Sequence, residues 1–366
     1  MNPARVGART ATTVTIGGRE LLAFAGCDYL GLACDGRLRS AAVEELARTG
    51  LSTGASRATT GHHVVHERLE EALAEFLGVE SALVLADGYL ADLALVQGLA
   101  DRVDVLLLDA DAHPSLDDAA RWTGRERHDF GAGDLNRALA LIDRHRSGGI
   151  AVLTDGVFPQ QGRIAAANEL LRMLPRSEAW LVVDDSHALG VLAATGRGTL
   201  ELHGIEDPRV VVTFSMGKAL GAGGGAIAGS HAVLARVRRR SDALIGSTAL
   251  PPALAAAALA GLDVLQREPE RLERLHANTA WLHRIGRGLG LEPRGSFLPV
   301  LQLPVRDAEE GERRARALAD RGLLVPFVQY PGTPGEGVLR ATVGSEHTAA
   351  DLRRLEDALA DLSWPA

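Results

Sequence analysis

Five short apolar runs constrain this chain more than any other feature: SALVLA from Ser81, VDVLLLD from Val103, GIAVLTD from Gly149, AWLVVDD from Ala179 and RVVVTFS from Arg209. Each is rich in Val and Leu, and a helical stretch separates it from the next. Runs that are apolar without alternation need cover on both faces, which a parallel sheet between two layers of helices provides. The spacing therefore predicts an α/β fold with a mostly parallel central sheet flanked by helices. Ahead of it, TVTIGG and LLAFAG read as a β-hairpin turning at Gly17-Gly18, an arm over residues 1–38. Residues 39–250 form the expected large domain, and 251–366 an interdomain helix, opened by Pro251-Pro252, with a smaller α+β domain. In its last helix Leu352, Leu355, Leu359 and Leu362 recur at helical spacing behind Thr348 as N-cap.

Composition narrows the function. At 366 residues and 46% hydrophobic, the chain can bury a full core. Its 39 basic residues stand against 47 acidic ones, with no basic block to follow a phosphate backbone, which disfavours nucleic acid. Cys27 and Cys34 make neither a disulfide framework nor a CxxC pair, as expected of a cytoplasmic protein. The start, MNPARVGARTATT, lacks the apolar core of a signal peptide, and Ala253–Leu265 is too short to span a bilayer, so no membrane insertion is expected.

Ligands of open parallel sheets sit beyond the carboxyl ends of the strands, so the residues after each run matter most. These are Asp87-Gly88-Tyr89, His113, Gly156-Val157-Phe158, Asp184-Asp185-Ser186-His187 and Ser215-Met216-Gly217-Lys218. Lys218 is the only lysine beside 38 arginines. Where only charge is needed this chain uses arginine, so a primary amine at a strand end points to chemistry that a guanidinium cannot perform, such as Schiff-base formation. With a carboxylate opposite, a ring nearby and a helix start suited to a phosphate, the set fits pyridoxal 5'-phosphate.

With DYLGL at Asp28, GASRATTGHHVVHERLEEALAEFLG at Gly54, DGY at Asp87, TDGVF at Thr154, VDDSHALGV at Val183, GRG at Gly196, TFSMGKALG at Thr213, STALPP at Ser247 and LRATV around Arg340, the sequence closely resembles the α-oxoamine synthase family of fold type I pyridoxal-phosphate enzymes. The resemblance implies a Schiff base at Lys218, Asp184 opposite the pyridine nitrogen, His187 at the phenolic oxygen and His113 stacked on the ring, with Lys218, His113 and Asp184 catalytic. It implies Gly88, Tyr89 and Ser215 at the phosphate, with Thr248 reaching the phosphate of a neighbouring subunit in a homodimer with shared sites. Arg340 is the implied clamp for the substrate carboxylate, and Cys27 and His66 are implied to line the substrate. The implied reaction condenses a glycine-, alanine- or serine-class amino acid with an acyl thioester, usually acyl-CoA, giving an α-amino ketone with release of CoA and carbon dioxide. Transamination or decarboxylation on the same scaffold is the alternative, and a non-catalytic supporting subunit is a third reading, opposed by the retained lysine.

Plainer readings stand beside these. Asp184 could cap a helix, Asp185 reads as structural, and Gly223 to Gly225 could serve close packing. His62 and His66 stand four apart like metal ligands, but His66 opens the stripe Leu69, Leu73, Phe76 and Leu77, which favours packing or substrate lining over metal. The chain also departs from the family pattern. It lacks roughly a helix of N-terminal sequence, Cys27 replaces the usual asparagine before DYLG, Pro114 follows His113 in place of a small residue, Pro159 replaces a serine after TDGVF, and QQGRIA replaces an acidic segment. Cysteine cannot reproduce an amide's hydrogen bonds and proline offers no donor, so a different acyl donor or amino acid is expected, a carrier-protein thioester among the options.

Overall fold

A computed structural model describes residues 5–292, 295, 297–330, 335–362 and 364. Strands β1 (Val6–Arg9), β2 (Thr13–Ile16) and β3 (Arg19–Ala23) come first, followed by β4 (Ser81–Leu85), β5 (Val105–Asp109), β6 (Glu126–Phe130), β7 (Ile150–Asp155), β8 (Val157–Phe158), β9 (Arg163–Ile164), β10 (Ala179–Asp184), β11 (Val210–Ser215) and β12 (Gly225–Gly229). The last strands are β13 (Val300–Pro304), β14 (Leu323–Leu324), β15 (Phe327–Val328) and β16 (Val338–Thr342). The helices are α1 (Gly36–Thr49), α2 (Val64–Leu77), α3 (Gly88–Leu99), α4 (Pro114–Thr123), α5 (Leu135–His145), α6 (Ala167–Met173), α7 (Thr199–His203), α8 (His231–Arg240), α9 (Asp242–Gly246), α10 (Pro252–Arg267), α11 (Pro269–Gly288), α12 (Ala308–Asp320) and α13 (Ala349–Ala360).

The chain forms two compact units, the larger comprising residues 36–158 and 164–267. Its seven-stranded sheet runs in the order β4-β12-β11-β10-β7-β5-β6. All five apolar runs are strands of it, and β5, β7 and β10 pair in parallel, as runs buried on both faces require. β12 is antiparallel to both β11 and β4. Its sequence, GAIAG, lies in the glycine-rich stretch after Lys218, where close approach dictates the residues: a Cβ on Gly225 would stand 2.4 Å from the Asp87 carbonyl oxygen. Leu83, Leu95, Leu106, Leu153, Val182, Val211 and Ile227 fill the core beneath the sheet. Helix α10, expected at the head of the smaller domain, belongs to this unit, because its small residues Ala255, Ala258 and Gly261 are buried and it packs on α1 and α2.

The smaller unit comprises residues 1–35, 159–163 and 268–366. The N-terminal arm is part of it, since β3 pairs in parallel with β14, Leu22 opposite Leu323. The arm's hairpin turns at Gly17 and Gly18, with φ of 57° and 80°, the left-handed pair that a tight two-residue turn needs. Thr348 caps α13 in a capping box with Asp351, and Leu352, Leu355 and Leu359 are buried in the unit's core. Among the described residues no helix is long and apolar enough to cross a membrane.

Candidate active site

The carboxyl ends of β7, β10 and β11 bring polar groups together in the larger unit. Asp155 ends β7, Asp184 ends β10 and Ser215 ends β11. Asp184 is almost wholly buried, and its Oδ1 accepts the Ser186 N–H at 2.8 Å. Ser186 Oγ in turn accepts the Ser215 N–H at 2.9 Å, tying the two strand ends together. Lys218 follows β11 and is half-buried. Its charge is felt by His113, Asp92 and Asp155, which places the amine among them. Among the described residues it has no hydrogen-bond or ion-pair partner.

His113 stands at the N-cap of α4, where its Nδ1 accepts the Ser115 N–H at 3.3 Å. Pro114 is the first residue of that helix, where a missing N–H costs nothing, so the departure from a small residue is compatible with the backbone here. The His113 N–H donates to Asp155 Oδ1 at 2.9 Å. Burial holds the imidazole below its usual pKa, with the Asp184 charge opposing and Lys218 reinforcing. Burial pushes Asp155 well up, and the neighbouring Asp184 charge adds to that.

Gly88 and Tyr89 open α3 behind Asp87, whose carboxylate accepts the Tyr89 N–H at 2.7 Å. A Cβ on Gly88 would stand 2.8 Å from Ser215 Cβ, so the start of α3 and the end of β11 meet at a spot only glycine fits. Tyr89 is partly exposed; its ring lies edge-on to His113 at 6.3 Å, and its hydroxyl donates to Asp118. That hydrogen bond, with burial second, pushes the phenol up to about 12. His187 is half-buried two residues after Asp185, and Thr248 is exposed, its backbone bridged to Ser56.

Asp185 accepts from both the N–H and the Oγ1 of Thr199, at 2.8 and 2.5 Å, and anchors the start of α7. His66, expected to line the substrate, is completely enclosed. Its Nε2 bonds the Leu250 carbonyl at 2.7 Å and its Nδ1 accepts the His63 N–H at 3.2 Å, leaving no ring nitrogen free. Burial lowers its pKa to about 4. His62 instead bonds Arg57 and Glu67.

Sequence reasoning passed over Asp92 and Ser115. Asp92, on α3, is fully buried and accepts from Thr213 Oγ1 at 2.5 Å and Ser115 Oγ at 2.6 Å. Burial pushes its carboxyl well up, helped by Asp184. An aspartate inside the otherwise apolar GYLADLALV was the available signal.

Arg340, Cys27 and Pro159 lie in the smaller unit. Arg340, on β16, is buried and donates to Tyr29 and Cys27, while its Nε has no partner. The Pro159 carbonyl accepts from Gln302 Nε2 at 3.3 Å.

Comparison with known proteins identifies the family. Residues 20–359 match the aminotransferase class I and II family. An 8-amino-7-oxononanoate synthase from Methylococcus capsulatus is 39% identical over 96% of this chain and 91% of its own length, and one from Marinobacter nauticus is 38% identical over 95% and 89%. A serine palmitoyltransferase from S. paucimobilis, solved with bound PLP-myriocin, superposes with a TM-score of 0.92 at 27% identity, covering 98% of this chain and 92% of that one. The chain belongs to the aminotransferase class I and II family, within its α-oxoamine synthase branch of fold type I enzymes.

Proposed function

We propose that this protein condenses a small amino acid with an acyl thioester, forming an α-amino ketone and releasing the thiol and carbon dioxide. It is a PLP-dependent C-acyltransferase, and the names of its relatives favour condensation over transamination or simple decarboxylation. The observation that carries the site assignment is the Lys218 amine, half-buried, without a hydrogen-bond partner and set among buried carboxyls.

The residues fit the cofactor. An unpartnered amine suits an imine bond, a buried carboxylate at Asp184 suits a pyridinium, and the start of α3, which opens on Gly88 beside Ser215, presents the backbone N–H groups of a helix N-terminus that suit a phosphate. When bound, pyridoxal phosphate supplies a carbonyl that takes up amino groups and a ring that accepts the electrons of a carbanion. In our reading Asp184 holds the ring nitrogen protonated, His187 contacts the phenolic oxygen, and His113 covers one ring face as a neutral imidazole. Gly88, Tyr89 and Ser215 hold the phosphate. Lys218 Nζ, which would hold the cofactor, would also move the substrate's α-proton. Arg340 orients the carboxylate, its unpartnered buried Nε supporting that role.

Exposed Thr248 supports a homodimer in which it reaches the neighbour's phosphate. Two free thiols fit a cytoplasmic setting. Cys27 beside Arg340 and Pro159 with no hydroxyl support a substrate pair other than the family's common ones, a carrier-protein thioester among them.

Borohydride reduction of the holoenzyme followed by peptide mapping tests the site: label is expected on Lys218, and its absence there overturns the assignment. Thiol release, measured over a panel of thioesters and amino acids, tests the reaction. Amino-group transfer without thiol release argues for the aminotransferase alternative, and a preference for pimeloyl thioester with alanine removes the case for an unusual substrate pair.

A further inference from the structure

At the opposite rim of the large sheet, Glu126, His128 and His145 bring three metal-type ligand atoms within 4.8 Å of one another. The topology explains how. Glu126 opens the edge strand β6 and His128 lies two residues on, so both project from one face of the strand. Helix α5 then runs back along the sheet, and its last residue, His145, returns to the level where β6 began.

Both imidazoles turn Nε2 toward the same carboxylate. His128 Nε2 is 2.7 Å from Glu126 Oε1 and His145 Nε2 is 3.9 Å from it, with the ring centroids 5.3 Å apart. Only 16% of the His145 side chain is exposed, and its Nε2 is shut off from solvent without a hydrogen-bond partner. A buried polar nitrogen that donates to nothing and accepts from nothing costs free energy unless some other group satisfies it. Ligand atoms around a tetrahedral zinc ion stand about 3.3 Å apart, given metal–ligand bonds of roughly 2.0–2.2 Å. The two carboxylate–imidazole separations bracket that value and all three ligand atoms lie within 4.8 Å of one another, so side-chain rotations bring them onto one ion.

We propose that Glu126, His128 and His145 form a binding site for a borderline divalent transition ion of the zinc type, with a fourth position open to water. Two imidazoles and one carboxylate match that class, whereas Ca2+ and Mg2+ prefer oxygen ligands throughout. The ion clasps the exposed edge strand to the end of α5. Register pairs Glu126 with Val105 and Val105 with Ile150, so the site lies five residues, about 16 Å along the strands, below Asp155 at the carboxyl end of β7. Its occupancy is therefore separable from the condensation.

The test uses tag-free holoenzyme, stripped with chelator and titrated with Co2+ while d–d absorption is followed at wavelengths beyond the cofactor bands, then with Zn2+ in competition. One equivalent is expected to bind with a low-symmetry tetrahedral spectrum, and Zn2+ is expected to displace it. His128→Ala, His145→Ala and the near-isosteric Glu126→Gln should each weaken binding, roughly 100-fold for the histidines, while His231→Ala leaves it unchanged. Thiol release unchanged in every variant shows that the fold is intact. Binding no tighter than millimolar in the wild type, or undiminished binding in the His128→Ala/His145→Ala double variant, overturns the proposal.

Discussion

Ser115 Oγ lies 2.6 Å from Asp92 Oδ2 and, on its other side, 2.6 Å from His113 Nδ1, so the imidazole is connected through one hydroxyl to a carboxyl group sealed inside the protein. Thr213 Oγ1 closes on the remaining oxygen of Asp92, which joins α3, the head of α4 and β11 in one network.

Replacing Asp92 tests this link. Asp92→Ala leaves two buried hydroxyls without their acceptor, a loss of roughly 1–3 kcal/mol that thermal or urea denaturation will register. Asp92→Asn keeps the shape and, because burial already pushes this carboxyl well up, should denature close to the wild type. If the network positions His113, the Asn variant still loses roughly 10- to 100-fold in kcat with KM little changed. Full activity in a stable Asn variant would falsify the positioning role.

The pH dependence of stability has two opposing parts. His66 drops from its ordinary 6.5 to about 4 on burial, so its contribution is complete above 6.5 and is lost as pH falls toward 4. Asp185 moves the other way, from 3.8 to about 7, chiefly through burial; its contribution is complete below 3.8 and is lost as pH rises through 7. Between pH 4 and 6.5 the two slopes partly cancel. Asp185→Asn removes one of them, so its melting temperature should climb more steeply from pH 4.5 to 6.5 than that of the wild type. Parallel curves would show that Asp185 does not titrate in this window.

Gly88→Ala probes the proposed phosphate end. The added methyl meets Ser215 Cβ at 2.8 Å and Cα at 3.0 Å, and neither strand β11 nor helix α3 can yield cheaply, so overpacking of roughly 1–3 kcal/mol is expected. Cofactor retention during gel filtration should fall together with stability, whereas a surface control such as Gly246→Ala, where a Cβ meets nothing within 4 Å, should alter neither.

The five Val/Leu runs marked strands of the central sheet because each is buried on both sides and needs no partner residue to be recognised. The other two strands of that sheet, β6 and β12, carry no such run. β6, ERHDF, carries charges because an edge strand faces water, and β12, GAIAG, carries glycine and alanine because α3 crowds it. The pairing of β3 with β14 joins residues about 300 positions apart, beyond any local pattern. At the candidate site, Lys218, Asp184 and His113 are marked in the sequence by type and by place at strand ends. The network behind them did not, since a buried aspartate on a helix looks in sequence like the start of a polar face, and only tertiary packing shows that Asp92 faces Thr213 and Ser115.

Arg340 is the position where chemistry and composition separate most cleanly, because 37 other arginines supply charge elsewhere in the chain. Its guanidinium is buried on β16, held by Tyr29 and Cys27, with Nε unpartnered. If Arg340 receives the substrate carboxylate, as proposed, its rigid fork offers two parallel charge-assisted hydrogen bonds, which an ammonium cannot match. Arg340→Lys should therefore keep the fold and bound cofactor but lose one hydrogen bond to a charged group, about 1.5–3 kcal/mol, raising KM for the amino acid roughly 10- to 100-fold with kcat and thioester KM nearly unchanged. Cys27→Asn, which puts an amide beside the same guanidinium, should shift the ranking of amino acids in the thiol-release panel without lowering cofactor content. If Arg340→Lys instead melts early with an unchanged KM, the guanidinium serves the packing of Tyr29 and not the substrate.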